Sequence, residues 1–155
     1  MPDVLDEIVE ENARARAELL EAVDAIPAAV RLEPSIDGWS VKDILVNIAA
    51  WQDGYAHALE LMARGERPKV PDYEDDDIDA FNARRQQESA SDSWEQTLGR
   101  LRAARERHEA AVRGLLALDP DRYAEGKTAR RLADAADHDR EHIEQIAAWR
   151  RSRGV

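Results

Sequence analysis

Apolar residues recur at steps of three and four along most of the chain, the spacing that puts them on one side of a helix. Over residues 3–25 the stripe is Val4, Leu5, Ile8, Val9, Asn12, Ala15, Leu19, Ala22 and Val23, continued by Ile26. Pro27 and Pro34 close that segment. A second helix is expected over 41–64, with Val41, Ile44, Leu45, Ile48, Trp51, Tyr55, Leu59 and Met62 facing inward. Ser40 and Asp43 have the spacing of a capping box at its start, and Gly65 and Pro68 end it. Ile78, Phe81 and Arg85 mark a short helix, and the cap-rich run Ser89–Ser93 separates it from a third long helix over 92–117. Trp94, Leu98, Leu101, Val112, Leu115 and Leu116 form the apolar side of that helix. Asp119-Pro120-Asp121 is turn chemistry, and Gly126-Lys127-Thr128 opens a last helix reaching about Arg151. No strand alternation and no internal repeat interrupts this order. The expected fold is all-α: one domain over 1–155, a four-helix bundle with long connections and a short extra helix between the second and third.

The polar residues that fall on apolar faces are the candidates for chemistry. On the last helix the apolar centre lies near Leu132, Ala136, Ile143 and Ile146, and Asp139 shares that sector. His142 lies roughly 70–80° to one side and His138 roughly 110°. The two histidines stand at i and i+4, so their rings meet on one edge of the helix and can address a single ion. By itself the pair is a weak signal, since exposed histidines on a charged helix look the same. On the second helix Asn47 takes a comparable boundary position beside Trp51, Gly54 and Asp43. On the third helix Arg105 and His108 fall on the apolar stripe. Should both point inward, Asp139 is their natural partner, because a buried charge without one is costly. Trp39, Trp51 and Tyr55 are candidate pocket walls as well as core aromatics. His57 falls on the outward face, and the acidic run Glu74–Asp77 reads most simply as solvated.

Charge and composition remove several function classes. Asp and Glu number 33 against 22 Lys and Arg, a formal net charge of −11. That excess opposes broad binding to nucleic acid or anionic lipid. There is no cysteine, so disulfides, thiolate metal sites and a cysteine nucleophile are excluded. No apolar run approaches the ~18–20 residues of a membrane span. The first residues are acidic and lack the basic-then-apolar order of a signal peptide, so a cytoplasmic protein is expected.

Three segments carry a family resemblance. Gly38-Trp39-Ser40-Val41-Lys42-Asp43-Ile44-Leu45-Val46-Asn47-Ile48-Ala49-Ala50-Trp51 resembles the second-helix signature of the DinB-like superfamily, closest to its ClbS/DfsB branch. Asp79-Ala80-Phe81-Asn82-Ala83-Arg84 resembles the motif that follows the long crossover in that branch. Asp137-His138-Asp139-Arg140-Glu141-His142-Ile143-Glu144-Gln145-Ile146, with Trp149, resembles the last-helix signature. The resemblance implies a bundle with an interhelical cleft, in which many relatives hold a divalent metal with three histidines. Carried over by position, the metal ligands are His138, His142 and Asn47. Asn47 departs from the pattern: a carboxamide is a neutral, weaker ligand than imidazole for zinc or nickel. The expectation is therefore a weakened divalent site helped by Asp43, Asp139 or His108, or a pocket that works without tightly held metal.

Three functions follow as expectations from the resemblance. The first is a hydrolase or resistance and detoxification protein acting on an electrophilic small molecule, with His138, His142 and Asp139 as catalytic residues. Trp39, Asp43, Trp51, Tyr55, Arg105 and His108 would line its pocket. The second is a thiol-dependent transferase, with Arg105 holding the thiolate of a cosubstrate. The third is a non-enzymatic binding protein whose metal site has degenerated. Dimers among relatives make a homodimer an expectation of the same kind.

Overall fold

The computed structural model describes residues 3–70 and 78–155, and the acidic run Glu74–Asp77 lies outside them. Among the described residues six helices follow in order: α1 (Val4–Asp24), α2 (Val41–Ala63), α3 (Ile78–Ser89), α4 (Trp94–Leu118), α5 (Thr128–Ala133) and α6 (Ala136–Arg153). Short 3-10 turns at Ala28–Val30 and Pro120–Tyr123 complete the path. Among the described residues no helix is long and apolar enough to cross a membrane.

Local chemistry sets most of these boundaries. Before α2 the chain reverses at Ile36–Trp39, whose backbone groups bond each other in both directions at 2.9 Å. Both central residues have positive φ, 52° at Asp37 and 86° at Gly38. That pair of left-handed residues suits Asp-Gly. Ser40 and Asp43 then close a full capping box, and Ser93 with Gln96 closes another at α4. Gly65, at φ 76°, ends α2, where the Glu66 N–H donates to the Leu61 carbonyl at 2.9 Å.

The last helix of the sequence reading is two helices. Its stripe runs without interruption, but α5 ends at Ala133 and α6 begins at Ala136. The cause lies on α1. Asn12 Oδ1 accepts the N–H groups of Ala135 and Ala136 at 3.0 and 3.1 Å, and Asn12 Nδ2 donates to the Ala133 carbonyl at 2.9 Å. Asp134 Oδ1 also accepts from Ala136, at 3.0 Å. Side chains thus take over backbone groups that a continuous helix would have bonded internally.

α2 packs chiefly on α4, and α1 chiefly on α6. The apolar core has two parts. One gathers Ile8, Leu59, Met62, Val112, Leu115, Tyr123 and Leu132. The other gathers Leu19, Val23, Ile44, Leu45, Ile48, Leu101, Ile146 and Trp149. Along α1, α2 and α4 the residues between these clusters include Asn12, Arg16, Gln52 and His108, all buried and all polar. Asp139, fully buried on α6, completes this polar layer.

Candidate functional site

The polar layer centres on Asp139. Arg16 reaches it from α1, Nε to Oδ2 at 3.0 Å and Nη2 to Oδ1 at 3.3 Å. Arg105 reaches Oδ2 from α4 at 2.9 Å. Arg16 also donates to Gln52 Oε1 at 2.9 Å and to the Leu101 carbonyl at 3.2 Å, and Arg105 donates to the Asn12 carbonyl at 2.6 Å. Burial, then the neighbouring Arg16 charge, pulls the Arg105 guanidinium down to about 10, so it stays charged at neutral pH. Both Asp139 oxygens go to guanidinium groups, and neither hydrogen-bonds to an imidazole. The side chain that contacts the His142 Nδ1 is Gln145.

His108, fully buried, bonds the Leu132 carbonyl through Nε2 at 2.7 Å, while Nδ1 has no partner. An oxygen acceptor requires a proton on Nε2, so the ring is the neutral Nε2–H tautomer. Desolvation holds its pKa below the ordinary histidine range. His108 therefore ties α4 to α5.

His138 and His142 come together on α6. Their Nε2 atoms stand 3.1 Å apart and the ring centroids 4.7 Å apart, edge to face. The Nδ1 of His142 lies 2.9 Å from Gln145 Oε1. With Nδ1–H donating to that oxygen, the Nε2 lone pair of His142 faces His138. Burial, then the His142 charge, lowers the His138 pKa to about 4, so this ring is neutral over the physiological range. Two imidazoles bound to one ion at ~2.0–2.1 Å, in tetrahedral or octahedral geometry, would have nitrogens about 2.8–3.4 Å apart. The observed separation fits that span. Among the described residues no group of three or more His, Cys, Asp or Glu could hold a metal ion. Among the described residues a third protein ligand would be of another kind, as Asn47 is.

Asn47 is buried on α2 and bonds to α3. Its Nδ2 donates to Asn82 Oδ1 at 3.0 Å, and Trp51 Nε1 donates to the same oxygen at 3.0 Å. The indole can only donate, which fixes the orientation of Asn82 and makes Asn47 present its NH2 group. The Oδ1 of Asn47, the atom that would ligate a metal, is thereby turned away from Asn82. Tyr55 and Phe81 each meet the Trp51 ring edge-on, at centroid distances of 6.1 and 5.1 Å.

The remaining candidates have structural positions. Asp43 accepts the Ser40 N–H at 2.9 Å in the capping box, and its carbonyl accepts from Gln86 at 2.7 Å. Trp39 closes the turn before α2 and packs half-buried on the second core cluster. A cavity of about 600 Å³ lies between α2, α3 and α4, walled by Ala49, Gly54, His57, Phe81, Arg100 and Arg107 among others. It includes neither His138, His142 nor Asn47. His57 is exposed beside it.

Arg16 and Gln52 escaped the reading of the sequence, while Asn12, named in the stripe of α1, and Asn82, named in the motif at 79–84, were given no polar role there. Arg16 could have been found by the test that found Arg105, since it falls on the stripe of α1. Asn82 gave no such signal, because α3 has little apolar asymmetry.

A model of the DinB superfamily matches residues 11–146. No curated protein and no solved structure matches the chain.

Proposed function

The chain is a member of the DinB superfamily, and from that premise we propose that it is a ClbS/DfsB-type hydrolase that detoxifies an electrophilic small molecule at the His138–His142 pair. The observation that carries this reading is the 3.1 Å separation of the two imidazole Nε2 atoms, with the His142 ring oriented by Gln145. The Nε2 lone pair of an imidazole so oriented is the group that would take a proton from water. In the reaction, the oxygen of water bonds to the electrophilic carbon and the bond from that carbon to the leaving atom opens. The water proton passes to an imidazole Nε2 and from there to the leaving atom. A strained ring is a suitable electrophile, since its opening is driven by release of strain.

His138 and His142 are the residues that would hold a divalent ion, with Asn47 Oδ1 as the weaker third donor. When bound, zinc or nickel would acidify a coordinated water. Asn47 also favours a second reading, a binding protein with a degenerate site, because its amide is engaged by Asn82. No observation favours the thiol-dependent transferase: Arg105 is tied to Asp139 and Asn12 in the polar layer.

The test is turnover of strained-ring electrophiles by the purified, tag-free chain, with and without chelator. The double variant His138→Ala/His142→Ala should lose at least ~10²-fold in rate. Undiminished turnover in that variant would remove the imidazoles from the chemistry. Elemental analysis of the same preparation reads the metal, and Asn47→His should raise metal affinity at least tenfold if the pair is a ligand set.

A further inference from the structure

α3 differs from α1, α2, α4 and α6 in how little of it lies inside. Of its twelve residues only Ser89, at the C-terminal end, is buried. It packs chiefly on α2, whereas α2 and α4 pack heavily on each other. Phe81, Arg85, Glu88 and Ser89 recur at helical spacing and line the cavity whose other walls come from α2 and α4. α3 therefore roofs that space, and the tightly packed α2–α4 pair forms its floor.

The C-terminal end of α3 is pinned. The buried Lys42 donates to the Ala90 carbonyl at 3.3 Å, and the Asp92 N–H donates to the Ser89 carbonyl at 3.0 Å. Asp92 is ion-paired with Arg100 of α4 at 2.8 Å. The body of the helix is held by polar clips instead of apolar burial. Asn82 Oδ1 accepts from Asn47 and Trp51, and Gln86 Nε2 donates to the Asp43 carbonyl at 2.7 Å. Phe81 adds a ring contact with Trp51. Arg85 is paired with Glu88 and lies over Phe81, so its contacts stay within α3. Hydrogen bonds of this kind stabilise little net, because water replaces them when they break. Gln86 Oε1 is buried with no donor among the described residues, and detachment returns it to water. A helix this short is marginal on its own, so α3 unfolds once it leaves α2. Few apolar contacts and polar attachments mark the segments that open before the rest of a fold.

We propose that α3 is a lid: it detaches from α2 as one cooperative unit, tethered at Ser89–Asp92, while α1, α2, α4, α5 and α6 stay folded. Opening uncovers the cavity, the Asn47 amide and the Trp51 indole together. The lid does not rest on the hydrolytic reading, since neither His138 nor His142 takes part in holding it.

The experiment is hydrogen exchange of the full chain, followed by NMR at rising urea concentrations below the unfolding transition. Amides of residues 82–88 should share one opening equilibrium, on the order of 100-fold or more above that of residues 101–108 in α4, with a weaker dependence on urea. The Trp51 indole N–H, bonded to Asn82, should follow the same equilibrium as those amides. Asn82→Ala should raise the opening of α3 about tenfold, and Gln86→Ala is the second variant should the first fail to fold. Asn12→Ala weakens the other side of the bundle and destabilises the closed and open forms alike. It should therefore speed exchange in α4 and leave α3 as it was; the urea slopes draw the same distinction if that variant does not fold. His138→Ala/His142→Ala should leave α3 exchange as in the parent, whatever its turnover. Exchange of α3 at the rate and urea slope of α4, or equal acceleration of both by Asn12→Ala, would overturn the lid, because α3 would then open only with the whole fold. Indole exchange out of step with the α3 amides would overturn it as well.

Discussion

His138 and Asp139 are consecutive residues on α6, yet they belong to regions built on opposite terms. Asp139 is fully buried, and both its oxygens are taken by guanidinium groups from two other helices. His138 is half-buried, and its Nε2 meets only the Nε2 of His142 one turn on. In the first region both carboxylate oxygens are taken: the hydrogen bonds there tie four helices together and leave little capacity for a ligand at the carboxylate, although Gln52 Nε2 and Arg105 Nε lack acceptors among the described residues. The second holds two imidazole Nε2 atoms that face each other and no carboxylate or guanidinium, the condition for accepting a proton or an ion. The contrast separates two meanings of a polar residue inside a bundle. One is architecture, where each partner is protein. The other is chemistry, where the protein leaves a partner out.

The sharpest way to break this comparison is to remove the centre of each region and compare stability. Asp139→Ala leaves Arg16 and Arg105 buried without their carboxylate and should cost ~3–5 kcal/mol in urea unfolding. His142→Ala should cost under ~1 kcal/mol, since its ring contacts are an edge interaction and one bond to Gln145. Equal costs would erase the distinction drawn here. Next in size is Asn12→Ala, which strips acceptors from two backbone N–H groups and a donor from the Ala133 carbonyl. Its expected cost is ~2–3 kcal/mol, with faster amide exchange at Ala135 and Ala136. Asn82→Ala removes the shared acceptor of Trp51 and Asn47 and should cost about 1–2 kcal/mol, read together with a change in indole fluorescence.

The smallest effect is a slope. His108 is neutral in the fold and its pKa is depressed by burial. The unfolded chain takes up a proton there as pH falls through about 6.5, and the native state resists it, so stability is lost as the solution becomes more acidic. His138 acts in the same direction. His108→Gln keeps a donor for Leu132 and should make the fall in urea midpoint from about pH 7 to pH 5 shallower without abolishing it. An unchanged slope would place the proton uptake elsewhere.

How far the pattern of residues reaches can be judged from α4 and α6. Periodicity placed Arg105, His108 and Asp139 on apolar faces, and all three are inside. The spacing of His138 and His142 brought their rings together, because an i, i+4 pair on one helix is a local relation. The capping boxes were local as well: Ser40 with Asp43 was read from spacing, and the Ser93 cap falls in the run Ser89–Ser93. What failed to show were relations between helices. The break at Asp134–Ala135 depends on Asn12, more than a hundred residues away in the chain. Asp139 was expected to partner Arg105 and His108; it pairs with Arg105 and Arg16, while His108 bonds the Leu132 carbonyl.

The order of residues by itself determined that this chain is helical, where most of its helices start, and that Arg105, His108 and Asp139 face inward, because these follow from a fixed rotation of about 100° per residue and from short-range hydrogen bonds. Only the packed bundle decided which inward groups satisfy one another. Pairing Asp139 with two guanidinium groups, turning Asn47 toward Asn82, and leaving the imidazole nitrogens to face each other are outcomes of distance across helices, which a one-dimensional pattern does not contain.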